Sequence, residues 1–325
     1  MRAERMQISN GPIAPFDDEP GVWLRCAFHV HTTESDGMLS PPMQRRAHAM
    51  GGYDVLAITD HDRYTPEPAG EDHLLVVGGT EISLKAPKSG GPLHLLGLGI
   101  TGMPDIGREA TLPGAAAAVR AAGGLPFVAH PVWSGLRTDE VDFAGVAGIE
   151  IFNAGCEVEQ DRAHADAHWD VWLSMGHRLT AIASDDTHFP GFDAFRAWTT
   201  VRARARTRDA LLAALAAGHF YATAGPRITA MTREDGVLTV HTTPARSIAA
   251  LANPPNGGRV NAGHYALAHR GERLPTADGQ SRQGFLEGDL LAGARFPIHP
   301  GMRYLRVVVM DDHGRRAWSN PIWLT

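Results

Sequence analysis

The chain has little cysteine: Cys26 and Cys156 are the two in 325 residues. That excludes a disulfide framework in a chain this long and points to a reducing compartment. It also lacks a basic excess. With a formal charge of −6 and a pI of about 6.3, it has no overall attraction for phosphate backbones, so polymeric nucleic acid is not expected as its main partner. The one arginine-rich run, Arg202, Arg204, Arg206 and Arg208, alternates with small residues where a strand meets a helix and reads as a solvated face. No stretch approaches the roughly 18 apolar residues of a membrane span. Met1 to Asn10 mixes Arg2, Glu4 and Arg5 with polar residues and lacks the apolar core of a signal peptide, so a cytoplasmic protein with no membrane partner is expected. No glycine-rich phosphate loop or dinucleotide fingerprint is present.

What remains is an ordinary globular composition, 43% apolar and 20% charged. The length suits one domain of roughly 200 to 250 residues plus a smaller one. From Trp23 to about Ala224, short apolar runs alternate with helical segments, the pattern of βα units on a parallel sheet. Candidate strands are Leu24–Phe28, Val55–Thr59, Leu74–Gly78, Leu93–Ile100, Phe127–Ala129, Gly148–Phe152 and Leu179–Ala183, seven in all. Helices are expected from Ser40 with Pro41 and Pro42 to Met50, from Pro113 through an alanine-rich run, over Glu157–Met175 and over Thr207–Ala217. After Gly225-Pro226, helical periodicity gives way to alternating segments such as Val237–Val240 and Tyr304–Met310, with Asn253–Gly258 a loop by composition. The expected organisation is an N-terminal extension over residues 1–22, a barrel over 23–226 and a small β-sandwich-like domain over 227–325.

The chemistry-bearing residues sit where the candidate strands end. His29 and His31, two apart on a strand, point to one side and can address one ion, and Asp36 lies a few residues into the following loop. A His-x-His pair is weak evidence alone. Thr59-Asp60-His61-Asp62 follows the second strand, Gly79-Thr80-Glu81 the third, and His94 begins the fourth. His130 lies between Ala129 and Pro131, and Ser184-Asp185-Asp186-Thr187-His188 closes the last. Six segments thus deliver metal-type side chains to positions that converge on one rim of a parallel barrel.

These residues resemble the PHP superfamily, named for polymerase-associated and histidinol-phosphatase domains. The resemblance is carried by His29-x-His31, Thr59-Asp60-His61, Glu81, His94, Ala129-His130-Pro131 and Asp186-x-His188, over about 160 of the 325 residues. Gly218 to Pro226 and the Trp169-Asp170 pair look like the branch that includes carbaryl-type hydrolases. The resemblance implies an α/β fold, a distorted (βα)7 TIM-like barrel. It also implies a trinuclear assignment in which His29, His31, Glu81 and Asp186 hold one ion, Asp36, His61 and His188 a second, and Glu81, His94 and His130 a third. Glu81 and a water or hydroxide then bridge ions, and Glu81, His61, Asp186 and His188 form the catalytic centre. Asp36 supplies a carboxylate where some relatives carry histidine.

Imidazoles and carboxylates without thiolate suit divalent Zn, Mn or Fe, and the resemblance implies two to three such ions. Such ions activate a water and clamp the oxygens of a displacement, so hydrolysis is the expected reaction. Asp60, Asp62 and Asp185 stand as imidazole acceptors or strand-end caps. Asn153 at the rim is a substrate contact or a turn residue, and Lys85, Arg137 and Arg196 are cations placed to meet an anionic substrate. His164 and His168, four apart, read as surface residues, because no His-Glu-x-x-His motif surrounds them. The leading expectation is a phosphoesterase for a small phosphate ester using a metal-bridging hydroxide. The alternative is a carbamate or carboxylic ester hydrolase with the same ions, which a rim poor in cations would favour. A non-catalytic binding module is the third, set against a ligand set with no position blank.

Overall fold

The structure, a computed structural model, describes residues 10–17, 19–70, 72–85, 87, 88, 90–107, 110–263, 267–275 and 290–324. Residues 1–9, where the sequence shows no signal-peptide core, lie outside the described residues. Among those described, no helix is long and apolar enough to cross a membrane. The chain divides into two compact units, Pro20–Ala224 and Met1–Glu19 with Gly225–Thr325.

The first elements in chain order are β1 (Gly11–Pro12), β2 (Val22–Ala27), α1 (Pro41–Met50), β3 (Val55–Ile58), β4 (Leu75–Leu84) and β5 (Leu93–Leu98). Next come α2 (Leu112–Ala121), β6 (Leu125–Val128), β7 (Gly148–Asn153), α3 (Ala154–Gln160), α4 (Asp166–Met175) and β8 (Thr180–Ser184). β9 (Trp198–Ala203), α5 (Arg208–Ala216) and β10 (Phe220–Thr223) complete the Pro20–Ala224 unit. Strands form at all seven expected places, but β4 runs on to Leu84, six residues past the expected end at Gly78, so Glu81 lies inside the strand rather than after it. In α2 and α5 a threonine hydroxyl, Thr111 or Thr207, accepts from the third backbone N–H onward, and prolines occupy the first turns of α1 and α2. The helix expected over Glu157–Met175 is two. Asp161 closes α3 in the left-handed conformation, φ 56°, and the chain restarts at Asp166.

The sheet of this unit runs β10-β9-β2-β3-β4-β5-β6-β7-β8. It is mixed rather than parallel, which corrects the expectation. β2, β3 and β4 are parallel, as are β6, β7 and β8, whereas β4-β5-β6 and β2-β9-β10 pair antiparallel. The reason is local. The link from Leu84 to Leu93 is too short for a crossover helix, so β5 folds straight back on β4. β9 was concealed by the arginine-rich run in which it ends, at Arg202. Its burial alternates, with Thr199, Val201 and Ala203 inside and Trp198, Thr200 and Arg202 half-exposed. At the far end of the path, β8 returns to β9 through Thr199, whose hydroxyl accepts from Ala183 N (3.1 Å) and donates to Ala183 O (3.0 Å). Beyond the strand, Val30 and Thr187 form a parallel bridge. The ends of β2 and β8, and with them His29, His31, Asp186 and His188, are therefore brought together.

Strand alternation divides the core. Leu24, Cys26 and Phe28 join Val55, Ala57, Leu96, Phe127, Ile182, Val201 and Phe220 in one buried cluster, while Ala27 and Val30 pack with Tyr53, Leu56 and Ile58 in another. Both cysteines are buried and unpaired. His164 and His168 are half-buried rather than on the surface. His164 packs 4.9 Å from the Phe152 ring, and His168 bonds to Leu136 O at 2.9 Å.

The second unit is antiparallel β throughout its described residues. β11 (Ile228–Glu234), β12 (Val237–Ala245), β13 (Ser247–Leu251), β14 (Gly257–Asn261), β15 (Ala268–His269) and β16 (Glu272–Leu274) are followed by β17 (Leu291–Pro297), β18 (Tyr304–Met310), β19 (Arg316–Ser319) and β20 (Ile322–Trp323). One sheet runs β1-β11-β12-β17-β16. The strands β15-β14-β13-β18-β19 form a second, with β20 on β18. Their buried faces carry Leu238, Val240, Phe296, Ile248, Val307, Val309 and Trp318.

Trp169 is fully buried on α4 and donates from Nε1 to Leu179 O at 3.1 Å. Trp169→Ala should cost about 3–5 kcal/mol, read as a shift of the denaturant midpoint of the metal-free protein. A shift under about 1 kcal/mol would contradict this packing.

Candidate metal centre

Nine side chains from the ends of six strands converge. His29 and His31 follow β2, His61 follows β3, Glu81 lies in β4, His94 in β5, His130 follows β6, and Asp186 and His188 follow β8. Asp36 reaches in from the loop after His31. His29 Nε2 lies 3.0 Å from Glu81 Oε2 and 3.1 Å from Asp186 Oδ1, and His31 Nε2 lies 3.1 Å from each of the same two oxygens. His61 Nδ1 approaches Glu81 Oε2 at 3.3 Å. On the other side of the carboxylate, His94 Nδ1 and His130 Nε2 approach Oε1 at 2.8 and 3.0 Å. Asp36 faces His31, His61 and His188 at 3.4, 3.6 and 3.4 Å.

Three groups have donor atoms within 4.8 Å of one another: His29, His31, Glu81 and Asp186; His31, Asp36, His61 and His188; and His61, Glu81 and His94. They nearly reproduce the expected partition. His31 joins the second group, and His61 stands beside His94 in the third, with His130 on the same Glu81 oxygen.

This arrangement fits cations. His31 Nε2, His61 Nδ1 and Asp186 Oδ1 are buried without an aligned hydrogen bond, although each lies within 3.1–3.3 Å of an oppositely charged group of the cluster. Buried polar atoms are otherwise almost always paired, so three orphans in one cluster mark the place of a positive charge. The balance of charge says the same. Burial opposes the charged form of His31, yet Asp186 and Glu81 outweigh it and push its pKa up to about 9. Burial likewise opposes Glu81 and Asp186, but the surrounding imidazoles hold both carboxyls well below the usual carboxylate range. Without an ion, protons on histidine balance the carboxylates. Two ligand residues have left-handed backbones, His130 at φ 26° and Asp186 at φ 55°, conformations that non-glycine residues rarely hold and that concentrate at functional sites.

The sequence reading missed Glu150. It is fully buried in β7 and accepts from His29 Nδ1 (2.9 Å), His130 N (2.8 Å), Asn153 Nδ2 (3.0 Å) and the Ser184 hydroxyl. This carboxylate fixes the His29 ring so that Nε2 faces the cluster, the arrangement typical of metal-bound histidine. The signal was available. A glutamate inside the apolar run Gly148–Phe152 cannot be buried without partners.

Other expectations are corrected. Asp60, Asp62 and Asp185 accept from no ligand imidazole. Asp60 accepts from Thr32 N (2.7 Å), the Thr32 hydroxyl (2.8 Å), Ser35 Oγ (2.8 Å) and the Thr65 hydroxyl, and so shapes the loop that delivers Asp36. Asp62 accepts from Ser83 N at 2.7 Å. Asp185 accepts from the backbone of Phe195, Arg196 and Ala197 and from Tyr53 Oη, bracing the chain beyond His188. Asn153 takes the local structural role that was its alternative reading. It is fully buried, its amide donates to Glu150 and to Asp186 Oδ2 (3.1 Å), and its oxygen caps α3 at Cys156 N. Lys85, Arg137 and Arg196 are exposed and line no part of the cavity above the cluster. Arg137 instead pairs with Asp139 at 3.0 and 2.8 Å over a separate surface cleft. The cavity over the cluster, about 590 Å³, is lined by Trp133, Cys156, Val158, Glu159, Phe189, Phe192 and Asp193 besides the ligand set.

No family model and no curated protein matches the chain. Among solved structures, a two-domain protein described as containing a predicted PHP-like metal-dependent phosphoesterase, from Bacteroides vulgatus, superposes with a TM-score of 0.51 at 17% identity. The match covers 94% of this chain and 95% of that one. The fold is PHP-like. Matches of lower score are an amidohydrolase from Chromobacterium violaceum (18% identity, 52% of this chain and 89% of that, TM-score 0.37) and the lesion-specific endonuclease of Pyrococcus furiosus (11%, 60% and 56%, 0.40). The PHP-like fold agrees with the resemblance carried by the histidine motifs, and it places those motifs on adjoining strand ends.

Because His31 holds a proton up to about pH 9 in the metal-free chain and an ion needs the neutral ring, metal binding at pH 7.5 should release protons. Apparent affinity should rise with pH and level off near 9. Titration calorimetry of Mn²⁺ or Zn²⁺ in buffers of different ionisation enthalpy reads the proton count directly. Release of none would show that the cluster does not take the ion.

Proposed function

We propose that the protein is a metal-dependent hydrolase, a phosphoesterase acting on a small phosphate ester. One observation carries the reading: the two oxygens of Glu81 are divided between His29, His31 and His61 on one side and His94 and His130 on the other. A carboxylate so placed suits ions held side by side. His29, His31, Asp36, His61, Glu81, His94, His130, Asp186 and His188 would hold two to three divalent ions. Zn, Mn and Fe all suit this donor set. Such ions lower the pKa of water and stabilise the charge that develops on attacking and leaving oxygens.

The chain's own residues prepare that chemistry. Glu150 and the Ser134 hydroxyl, 3.1 Å from His130 Nδ1, orient imidazoles from behind. Asp60 and Asp185 hold the loops that carry Asp36 and His188. His61 and His188 keep 29% and 20% of their side chains exposed toward the cavity, whereas His29 and His31 are sealed. Substrate therefore enters on the side of His61, His188 and Asp36.

A second reading has a specific observation in its favour. Among the described residues lining the cavity there is no lysine or arginine, so a neutral carbonyl, as in a carbamate or carboxylic ester, meets nothing unsuited to it. The phosphoester reading holds against it because ions of this number can neutralise phosphate without side-chain cations. Metal-loaded enzyme offered phosphate mono- and diesters beside aryl esters and carbamates should hydrolyse the phosphates faster. His61→Ala should lower that rate by more than about 100-fold, the scale at which even outer partners of metal ligands act. Turnover of carbamates with no phosphate hydrolysed would transfer the proposal to the carbonyl reading.

A further inference from the structure

We propose that the outer half of the metal cavity is a subsite for an aromatic, non-anionic leaving group, held between Trp133 on one wall and Phe189 with Phe192 on the other. The inference rests on the phosphoesterase reading and specifies the half of the substrate that departs. In that reaction water adds to phosphorus and the bond from phosphorus to the aryl oxygen breaks. One proton of the water leaves on the arenol, and the other stays with inorganic phosphate.

Both walls adjoin ligands. Trp133 stands edge-on to His130 at 4.8 Å and lies 6.3 Å from His94. Phe189 lies 6.4 Å from the His188 ring. A group leaving from a phosphate held at the cluster would therefore meet aromatic side chains, which suit flat rings in stacked or edge contact. Phe189, Phe192 and Val158 are 47%, 68% and 44% exposed at the cavity mouth. Large apolar side chains gathered round a concavity are left in water at a cost unless a ligand covers them. The aromatic wall is preformed. Asp193 Oδ2 accepts from His188 N (2.7 Å) and Phe189 N (2.8 Å), and Phe192 N donates to Phe189 O (2.8 Å), closing a tight turn. The cavity volume of about 590 Å³ falls within the roughly 300–1,000 Å³ of small-molecule sites.

Charge sets the other half of the selection. Beyond the ligand set, the ionisable carboxylates on the lining are Glu159 and Asp193, and no described lining residue is cationic. Asp193 is 5% exposed, and its Oδ1 is buried without a partner. A second negative group on the substrate would meet these carboxylates, whereas a ring, or a ring bearing a hydrogen-bond donor, would not.

Titration calorimetry of the metal-loaded full chain with non-hydrolysable phosphonates tests this. Wild type should bind 1-naphthylphosphonate at least ten-fold more tightly than methylphosphonate, and the F189A/F192A variant should lose most of that ratio. Propylphosphonate should bind more tightly than 2-carboxyethylphosphonate, with the gap narrowed by Glu159→Gln. Equal affinities for the naphthyl and methyl compounds in wild type, or a preference that survives in the double variant, would overturn the subsite. Preference for the naphthyl ligand with no hydrolysis of 1-naphthyl phosphate would instead overturn the phosphoesterase reading and leave the subsite in place.

Discussion

The structure depends on an electrostatic constraint at the Glu81 carboxylate. Five imidazoles face its two oxygens, Asp186 shares two of those imidazoles, and Glu150 is buried immediately behind His29. Carboxylates sealed from water at this density require positive charge among them. The chain offers protons on histidine or divalent ions as the source, and the orphaned nitrogens and oxygen at the centre are the atoms that ions would use.

Meeting that constraint shapes the fold around it. The parallel runs β2-β3-β4 and β6-β7-β8 send their carboxyl ends to one side, as in other sheets whose sites sit at strand ends. The antiparallel turn through β5 brings His94 in from the start of a strand rather than its end. Thr199 and the Val30–Thr187 bridge then draw β8 toward the start of the path, so that His29 and Asp186 meet. Loops carrying Asp36 and His188 are pinned by Asp60 and Asp185, each saturated with donors.

Much of this was legible because the ligands follow apolar runs and imidazoles are rare enough for their spacing to stand out. His29, His31, His61, Glu81, His94, His130, Asp186 and His188 were all identified from motifs, and the strands that carry them from apolar runs. Three things were hidden. Glu150 sits within an apolar strand and belongs to no motif, and only its burial reveals it. β9 ends in the arginine-rich run, with Arg202 on its half-exposed face, and that run reads by composition as a solvated face. The cations assigned to substrate were chosen by position in loops, but side-chain direction in a loop follows from local turns and pairs, such as Arg137 with Asp139, that spacing does not encode.

The cavity joins the candidate metal centre to a chemical preference: His, Glu and Asp ligating groups at its floor, aromatic side chains on its lining and, among the described residues, no cationic side chain there. That combination assigns the neutralisation of substrate charge to the ions, so everything rests on their presence. The most direct measurement is elemental analysis by inductively coupled plasma mass spectrometry of gently purified protein beside its Glu81→Ala variant. Two to three equivalents of Mn, Fe or Zn per chain, falling sharply in the variant, are expected. One equivalent or none in both, even after reconstitution, would contradict the shared-carboxylate centre.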